Sequence, residues 1–310
     1  MAAPTREELT MGNTCTVDPA SVVPGWGFGT GIDDFGLISA VATDSTGTVY
    51  VLGRFPQGVM HRFDPEGHWL GDWEFPFSSP HGLWIGPDDR IFVTDTGEHV
   101  VYVFDRDGAL SQTIGTPGQV GRPGEPFNEP TRAVQGPSGD IYVSDGYGQH
   151  WVHRFSAEGE LIKSWGGEGS QPGMFQTPHA LWVDAAERVY VVDRANGRVQ
   201  VFDNTGAILA IWGGFCFPHD IFQTAHGTFI VTDCATRDDD ARPYHEQMPP
   251  HPLIELDADG NRIGATGTSG LGAGAFADCP HSLWIAPSGD IYVSEVVSHN
   301  RLQKFRPAAR

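Results

Sequence analysis

Three histidines open equivalent segments of this chain: His81 in PHGLWI, His179 in PHALWV and His281 in PHSLWI. Imidazoles repeated at one position of a repeat unit gain a chemical use when the units close into a ring. They then sit at one height around the axis, and alternate units place them about 120° apart. Three converging imidazoles with an open axial position suit a catalytic zinc ion, or another divalent transition metal. The competing reading makes the motif part of the repeat itself, each imidazole bonding to neighbouring backbone. Two units carry Ser39 and Thr131 at this position instead, so the repeat does not demand histidine there. His219 opens one more unit. It is a fourth ligand, a donor to a ligand, or a substrate contact.

The segments that return to the histidine end carry further chemistry. Arg54 and Arg194 occupy the same repeat position in the first and fourth units, roughly opposite each other. Two guanidinium groups at the mouth of an acidic protein point to an anion, most simply a substrate carboxylate. The alternative is a salt bridge to acids of the next unit. Tyr147 follows the second strand of the third unit, and beside a dication it can serve as a general base; otherwise it is a rim aromatic. Asp95, Asp145, Asp193, Asp233 and Glu295 recur at one position and read as turn-capping residues. Most of His99, His150, His153 and His299 read as exposed turn residues. Cys279, two residues before His281, is a weaker candidate for thiolate ligation.

What must position these groups is a repeat. Units start near residues 39, 81, 131, 179, 219 and 281. The intervals are roughly 40 to 60 residues, the length of one blade of a β-propeller. Within a unit, a first strand ends at a Pro/Asp/Gly turn. A β-branched and aromatic second strand follows (IFVTD, IYVSD, VYVVD), then a third ending in V-x-x-F before a tight turn. No segment has a 3.6-residue period. The expected fold is therefore all-β, a six-bladed β-propeller in a single domain over residues 1–310. The sixth unit lacks its outer strand, and the stretch CTVDPASVVPGWGF is expected to supply it and close the ring. The stretch 234–252, acidic and proline-rich, is expected to project as a flap.

Composition limits the partners. The 310 residues hold 19 Lys and Arg against 39 Asp and Glu, a net charge of −20. Nucleic acids and anionic membranes need clustered positive charge, so neither is expected as a partner. No apolar run is long enough to span a bilayer. The N-terminus shows no basic stretch followed by an apolar one, so a cytoplasmic location is expected. Cys15, Cys216, Cys234 and Cys279 form no CxxC pair and are read as reduced thiols. No feature of the repeats specifies an oligomeric state.

These residues together resemble the peptidyl-α-hydroxyglycine α-amidating lyase family, whose fold is an NHL-repeat propeller. The similarity runs from about residue 38 to 306. It is carried by SSPHGLWIGPDDRIFVTDTGEH, EPTRAVQGPSGDIYVSDGYGQ, QPGMFQTPHALWV, VVDRANGRVQVF and CPHSLWIAPSGDIYVSE. The resemblance implies zinc on His81, His179 and His281, Tyr147 as general base, and Arg54 and Arg194 near the substrate. The implied reaction splits an N–C(OH) carbinolamide into an amide and glyoxylate. A structural calcium is also implied, on the backbone carbonyls of Val41 and Leu83 and an aspartate, but Ser282 stands at the aspartate position. The family's disulfide positions read Asn128 with Gly148 and Tyr190 with Val201, so neither bridge can form. Cys279 replaces a methionine near the last zinc ligand.

The function expected is thus a metal-dependent lyase acting on a small or peptide-like, anionic α-hydroxy substrate. Two rivals stand beside it. A propeller hydrolase such as a lactonase also holds a dication, usually on Asp, Glu and Asn, which the histidine ring disfavours. A non-catalytic NHL scaffold is the other, since a fold does not fix a function.

Overall fold

The computed structural model describes residues 17–27, 35–73, 75–235, 249, 251–296 and 301–307. Blade one comprises β1 (Leu37–Thr43), β2 (Val49–Phe55), β3 (Val59–Phe63) and β4 (Trp69–Trp73). Blade two is β5 (Pro80–Ile85), β6 (Ile91–Asp95), β7 (Val100–Phe104) and β8 (Leu110–Ile114). Blade three is β9 (Pro130–Gln135), β10 (Ile141–Asp145), β11 (Trp151–Phe155) and β12 (Leu161–Gly166). Blade four is β13 (Pro178–Val183), β14 (Val189–Asp193), β15 (Arg198–Phe202) and β16 (Ile208–Trp212). Blade five is β17 (Pro218–Gln223), β18 (Phe229–Asp233), β19 (Leu253–Leu256) and β20 (Arg262–Thr266). Blade six is β21 (Cys279–Ile285), β22 (Ile291–Val296) and β23 (Leu302–Phe305).

Each blade is an antiparallel meander in sequence order. The first strands β1, β5, β9, β13, β17 and β21 touch in a closed cycle and line the channel. The repeated V-x-x-F ending has a packing reason: Phe63, Phe104, Phe155, Phe202 and Phe305 lie buried between sheets. The tight turn after that strand recurs as well. At Gly206, φ is 79° and an added Cβ would meet the Trp165 ring at 2.9 Å. Glycine alone serves both the left-handed backbone and the close approach.

Blade six gets its missing edge from the N-terminal segment. Val22 bridges Phe305, Val23 N donates to Lys304 O at 2.8 Å, and Arg306 N donates to Ser21 O at 3.1 Å. This covers an edge that would otherwise expose unpaired amides. Of the expected flap, residues 236–248 and 250 lie outside the described residues; β19 resumes blade five at Leu253. Among the described residues no helix is long and apolar enough to cross a membrane.

The reading of four reduced thiols is corrected in part. Cys234 and Cys279 form a disulfide with a Cα–Cα distance of 5.2 Å, while Cys216 is free and exposed. Cys15 lies outside the described residues. The reason is ring closure: Cys234 follows the second strand of blade five and Cys279 opens the first strand of blade six. Adjacent blades bring those two ends together at the histidine face, within bonding range. The positions where the lyase family bridges are adjacent too, without thiols. Asn128 Nδ2 donates to Gly148 O at 2.8 Å, and Tyr190 pairs with Val201 across β14 and β15.

Truncation through Val23 tests the ring closure. Losing its backbone hydrogen bonds should cost on the order of 2–3 kcal/mol. Calorimetry should show a midpoint lowered by several degrees, with more self-association in sedimentation. An unchanged midpoint would mean that the segment does not hold blade six.

Candidate metal centre

The histidine position is a β-bulge in every blade. Register between first and second strands slips at Pro80/Leu83, Pro178/Ala180, Pro218/Ile221 and Pro280/Ser282, and likewise around Ser39 and Thr131. A bulge adds a residue to one strand and re-aims its side chain. The recurrent acids hold the approach to that bulge. Asp95 accepts from Ser78 N and Ser79 N, Asp233 from Cys216 N and Phe217 N, and Glu295 from Ala277 N and Asp278 N. Their recurrence therefore serves the backbone, as read from the sequence.

His81, His179 and His281 each offer one ligand atom, and these atoms lie within 4.8 Å of one another. Each Nδ1 bonds a carbonyl of the next blade: His81 to Thr131 O at 2.7 Å, His179 to His219 O at 2.8 Å, His281 to Ser39 O at 2.7 Å. A carbonyl only accepts, so Nδ1 carries the proton and Nε2 keeps its lone pair. The two readings of the motif are thus compatible, because one ring nitrogen bonds neighbouring backbone while the other is left for a ligand. Between the rings and the layer beneath them is a cavity of about 10 Å³, room for one water-sized species. Neutral imidazoles, oriented through their far nitrogen around such a space, fit a divalent transition metal.

Tyr147 Oη lies 2.8 Å from His81 Nε2 and 3.1 Å from His179 Nε2, at the open side of the trio. The Arg194 guanidinium lies over the Tyr147 ring at 5.2 Å and over Phe217 at 4.9 Å. Its Nε is buried without a hydrogen-bond partner. Arg54 donates from Nη2 to Ser79 Oγ at 3.2 Å. Neither arginine pairs with an acid of the next blade among the described residues. His219 donates from Nδ1 to Phe217 O at 2.9 Å, its ring 4.8 Å from that of His179. Its ring also lies 5.4 Å from that of His281, and one of its nitrogens is within 4.8 Å of the Cys234 and Cys279 sulfurs.

Burial is the main force on the imidazoles. It holds His81, His179 and His219 well below the ordinary histidine range, and His281 down to about 3; the Arg54 and Arg194 charges add to the effect. All four are therefore neutral near pH 7, as a ligand must be.

The calcium expectation meets a different arrangement. Leu83 O accepts from Arg132 Nη1 at 2.8 Å, and Arg132 Nη2 pairs with Asp220 Oδ2. Asp220 Oδ2 also accepts from Leu283 N at 3.0 Å. Ser282 Oγ is buried without a partner, and Val41 pairs with Val51 in blade one. A guanidinium thus takes the cation's role at the Leu83 carbonyl, so these residues do not fit calcium. Arg132 and Asp220 occupy the repeat position after the bulge, where the other units carry Ala40, Gly82, Ala180 and Ser282. Gly82 must be small: an added Cβ would come within 2.3 Å of Thr131 O. Opposite charges in a layer of small residues were a signal the sequence offered and the motif reading passed over. So was the cysteine pair at one face of neighbouring blades. His153, expected exposed, is buried against Asp145 and Ser164, and His299 lies outside the described residues.

No family model matches the chain. NHL repeat-containing protein 3 from Homo sapiens is 32% identical over 216 residues, 63% of this chain and 61% of that protein. Peptidyl-alpha-hydroxyglycine alpha-amidating lyase 1 from Drosophila melanogaster is 28% identical over 248 residues, 74% of this chain and 44% of that protein. Peptidylglycine alpha-amidating monooxygenase from Rattus norvegicus is 38% identical over 135 residues, 41% of this chain and 14% of that protein. The chain thus spans less than two thirds of each. A streptogramin B lyase structure superposes with a TM-score of 0.61 at 14% identity, over 89% of this chain and 95% of that one. An inactive virginiamycin B lyase from Staphylococcus aureus gives 0.60 at 12%, over 90% and 87%. These two likenesses show the fold alone. In sequence the chain is similar to an NHL repeat-containing protein and to the amidating lyases.

Two measurements follow from the buried charges. Arg132→Leu strands the Asp220 carboxylate and should cost about 3–5 kcal/mol in urea unfolding. The double variant with Asp220→Leu should recover most of it, and a calcium-selective chelator should leave the wild-type midpoint unchanged. For the metal-free protein, the unfolded chain binds protons below about pH 6.5 while the buried imidazoles do not. Stability should therefore fall as pH drops from about 6.5 toward 3. His281→Gln should flatten that slope, by at most about 1.4 kcal/mol per pH unit. An equal slope in the variant would show that His281 takes up its proton in the fold.

Proposed function

We propose that this chain is a zinc-dependent lyase that cleaves a C–N bond in an α-hydroxy substrate bearing a carboxylate, small or peptide-like. The observation that carries the reading is the Tyr147 phenol seated on two Nε2 atoms of the histidine trio, beside an arginine with an unpartnered buried N–H. Similarity to named lyases supports it. His81, His179 and His281 would hold the zinc ion, which supplies Lewis-acid stabilisation of negative charge developing in the site.

The chain's own groups do the rest. Arg194, wedged between two aromatic rings, offers Nε and its terminal nitrogens to the substrate carboxylate; Arg54 adds a second positive charge across the mouth. Fixing the carboxylate places the adjacent carbinol carbon against Tyr147. Tyr147 Oη takes the proton from the α-hydroxyl. The C–O bond becomes a carbonyl while the C–N pair leaves with the nitrogen, which is then protonated. The products are an amide and a 2-oxo acid, glyoxylate when the carbinol carbon bears only hydrogen. His219, at the edge of the trio, lines the same mouth. The substrate is an anion, not a nucleic acid or membrane. The cytoplasmic setting is part of the proposal, and there the Cys234–Cys279 bond faces a reducing thiol pool.

Purified protein should contain zinc and release glyoxylate from an α-hydroxyglycine substrate. His179→Ala should lose metal and activity and keep the fold. Tyr147→Phe should keep the metal and lower turnover by about 10²–10⁴. Full metal content in His179→Ala would refute the ligand set, and normal turnover in Tyr147→Phe would remove the phenol from the reaction.

A further inference from the structure

A second cluster of ligand-type side chains lies at the same mouth and is not used in that reaction. One donor atom from each of His219, Cys234 and Cys279 lies within 4.8 Å of the other two. All three residues are buried. Phe217, just before β17, and Val296, at the end of β22, pack against the small buried cluster that holds the two cysteines. We propose that these three residues form a second metal site for a thiophilic divalent ion of the zinc class, closed while the cysteines are a disulfide and opened when they are reduced.

Three observations support the site. First, its ligands come from rigid elements. His219 sits in the bulge of β17, Cys234 directly after β18, and Cys279 at the start of β21. The frame that holds them is the blade five–blade six junction, which the disulfide does not have to create. Second, the tautomer of His219 is set. Its Nδ1 donates to Phe217 O at 2.9 Å, so Nε2 keeps its lone pair, the same device that orients the other three imidazoles. Third, the donor set is soft. Two thiolates and one imidazole with an open position match zinc and cobalt and discriminate against calcium or magnesium.

The chemistry balances. A phosphine reductant attacks one sulfur, the S–S bond breaks, and water delivers the oxygen that leaves as phosphine oxide; two thiols result. In the cell a dithiol plays the same part and becomes a disulfide itself. Binding a divalent ion then releases the two thiol protons and forms two metal–sulfur bonds and one metal–nitrogen bond. His81, His179 and His281 take no part in these steps.

Cobalt(II) reports the two sites separately, because only a thiolate ligand gives an intense sulfur-to-cobalt charge-transfer band. The experiment uses the full chain carrying Cys15→Ser and Cys216→Ser, so that only the pair supplies sulfur. Oxidised protein should bind one cobalt without the band. After phosphine reduction, with two new thiols counted by alkylation, it should bind a second cobalt and show the band. His179→Ala should lose the first ion and keep the second. His219→Ala should weaken the second on the order of 100-fold. Cys234→Ser with Cys279→Ser should abolish it. Reduced protein that has gained two thiols yet shows no second equivalent and no band overturns the proposal, with no variant needed. Loss of the band in His179→Ala would also overturn it, since the sulfur would then belong to the first site.

Discussion

The hydrogen bond from Nδ1 of each channel histidine to a carbonyl of the next blade is the constraint on which the site depends. It joins blade two to three, four to five and six to one, so it is part of the ring's own stitching. It also decides the tautomer. With Nδ1 committed as a donor, each Nε2 lone pair is left for a ligand at the axis. The bulge makes this possible, because a regular strand would not bring that side chain to the channel in this way. Buried carboxylates at the ends of the second strands fix the chain that leads into the bulge. One repeated local irregularity therefore serves both cohesion and chemistry.

Below the imidazoles lies a layer of another kind. Arg132 and Asp220 meet across the channel and draw in backbone groups of blades two and six. A buried ion pair adds little net stability compared with a packed apolar pair, but it is costly to break. Its value here is positional: a guanidinium cannot dissociate, and its planar fork fixes direction as well as charge. Arg54 and Arg194 add two further positive charges beside four neutral imidazoles, inside a chain of net charge −20. Local field, not net charge, governs what enters such a cleft.

The ring is most informative where its pseudo-symmetry fails. Blades two, four and six match one another at the bulge, as the even spacing of a trio requires. Blade five departs from them with His219 beside a sulfur pair, and blades three and five depart again one residue later with Arg132 and Asp220. The repeat supplies rigid positions, and the exceptions to it supply function.

The sequence alone determined the architecture, because its information is periodic: apolar strands and recurrent turns return in six units, with V-x-x-F endings in several of them, and such units can pack side by side into a ring. It also singled out His81, His179 and His281, since equal repeat position becomes equal height on an axis. Three things depended on tertiary structure. The pairing of Arg132 with Asp220 spans the channel between non-neighbouring blades. The Cys234–Cys279 bond depends on how the end of one blade's second strand meets the start of the next blade. The seating of Tyr147 on two imidazoles depends on the path of a loop after β10. Each is a contact between residues with no shared period, and distance across a closed ring is not written in the order of the chain.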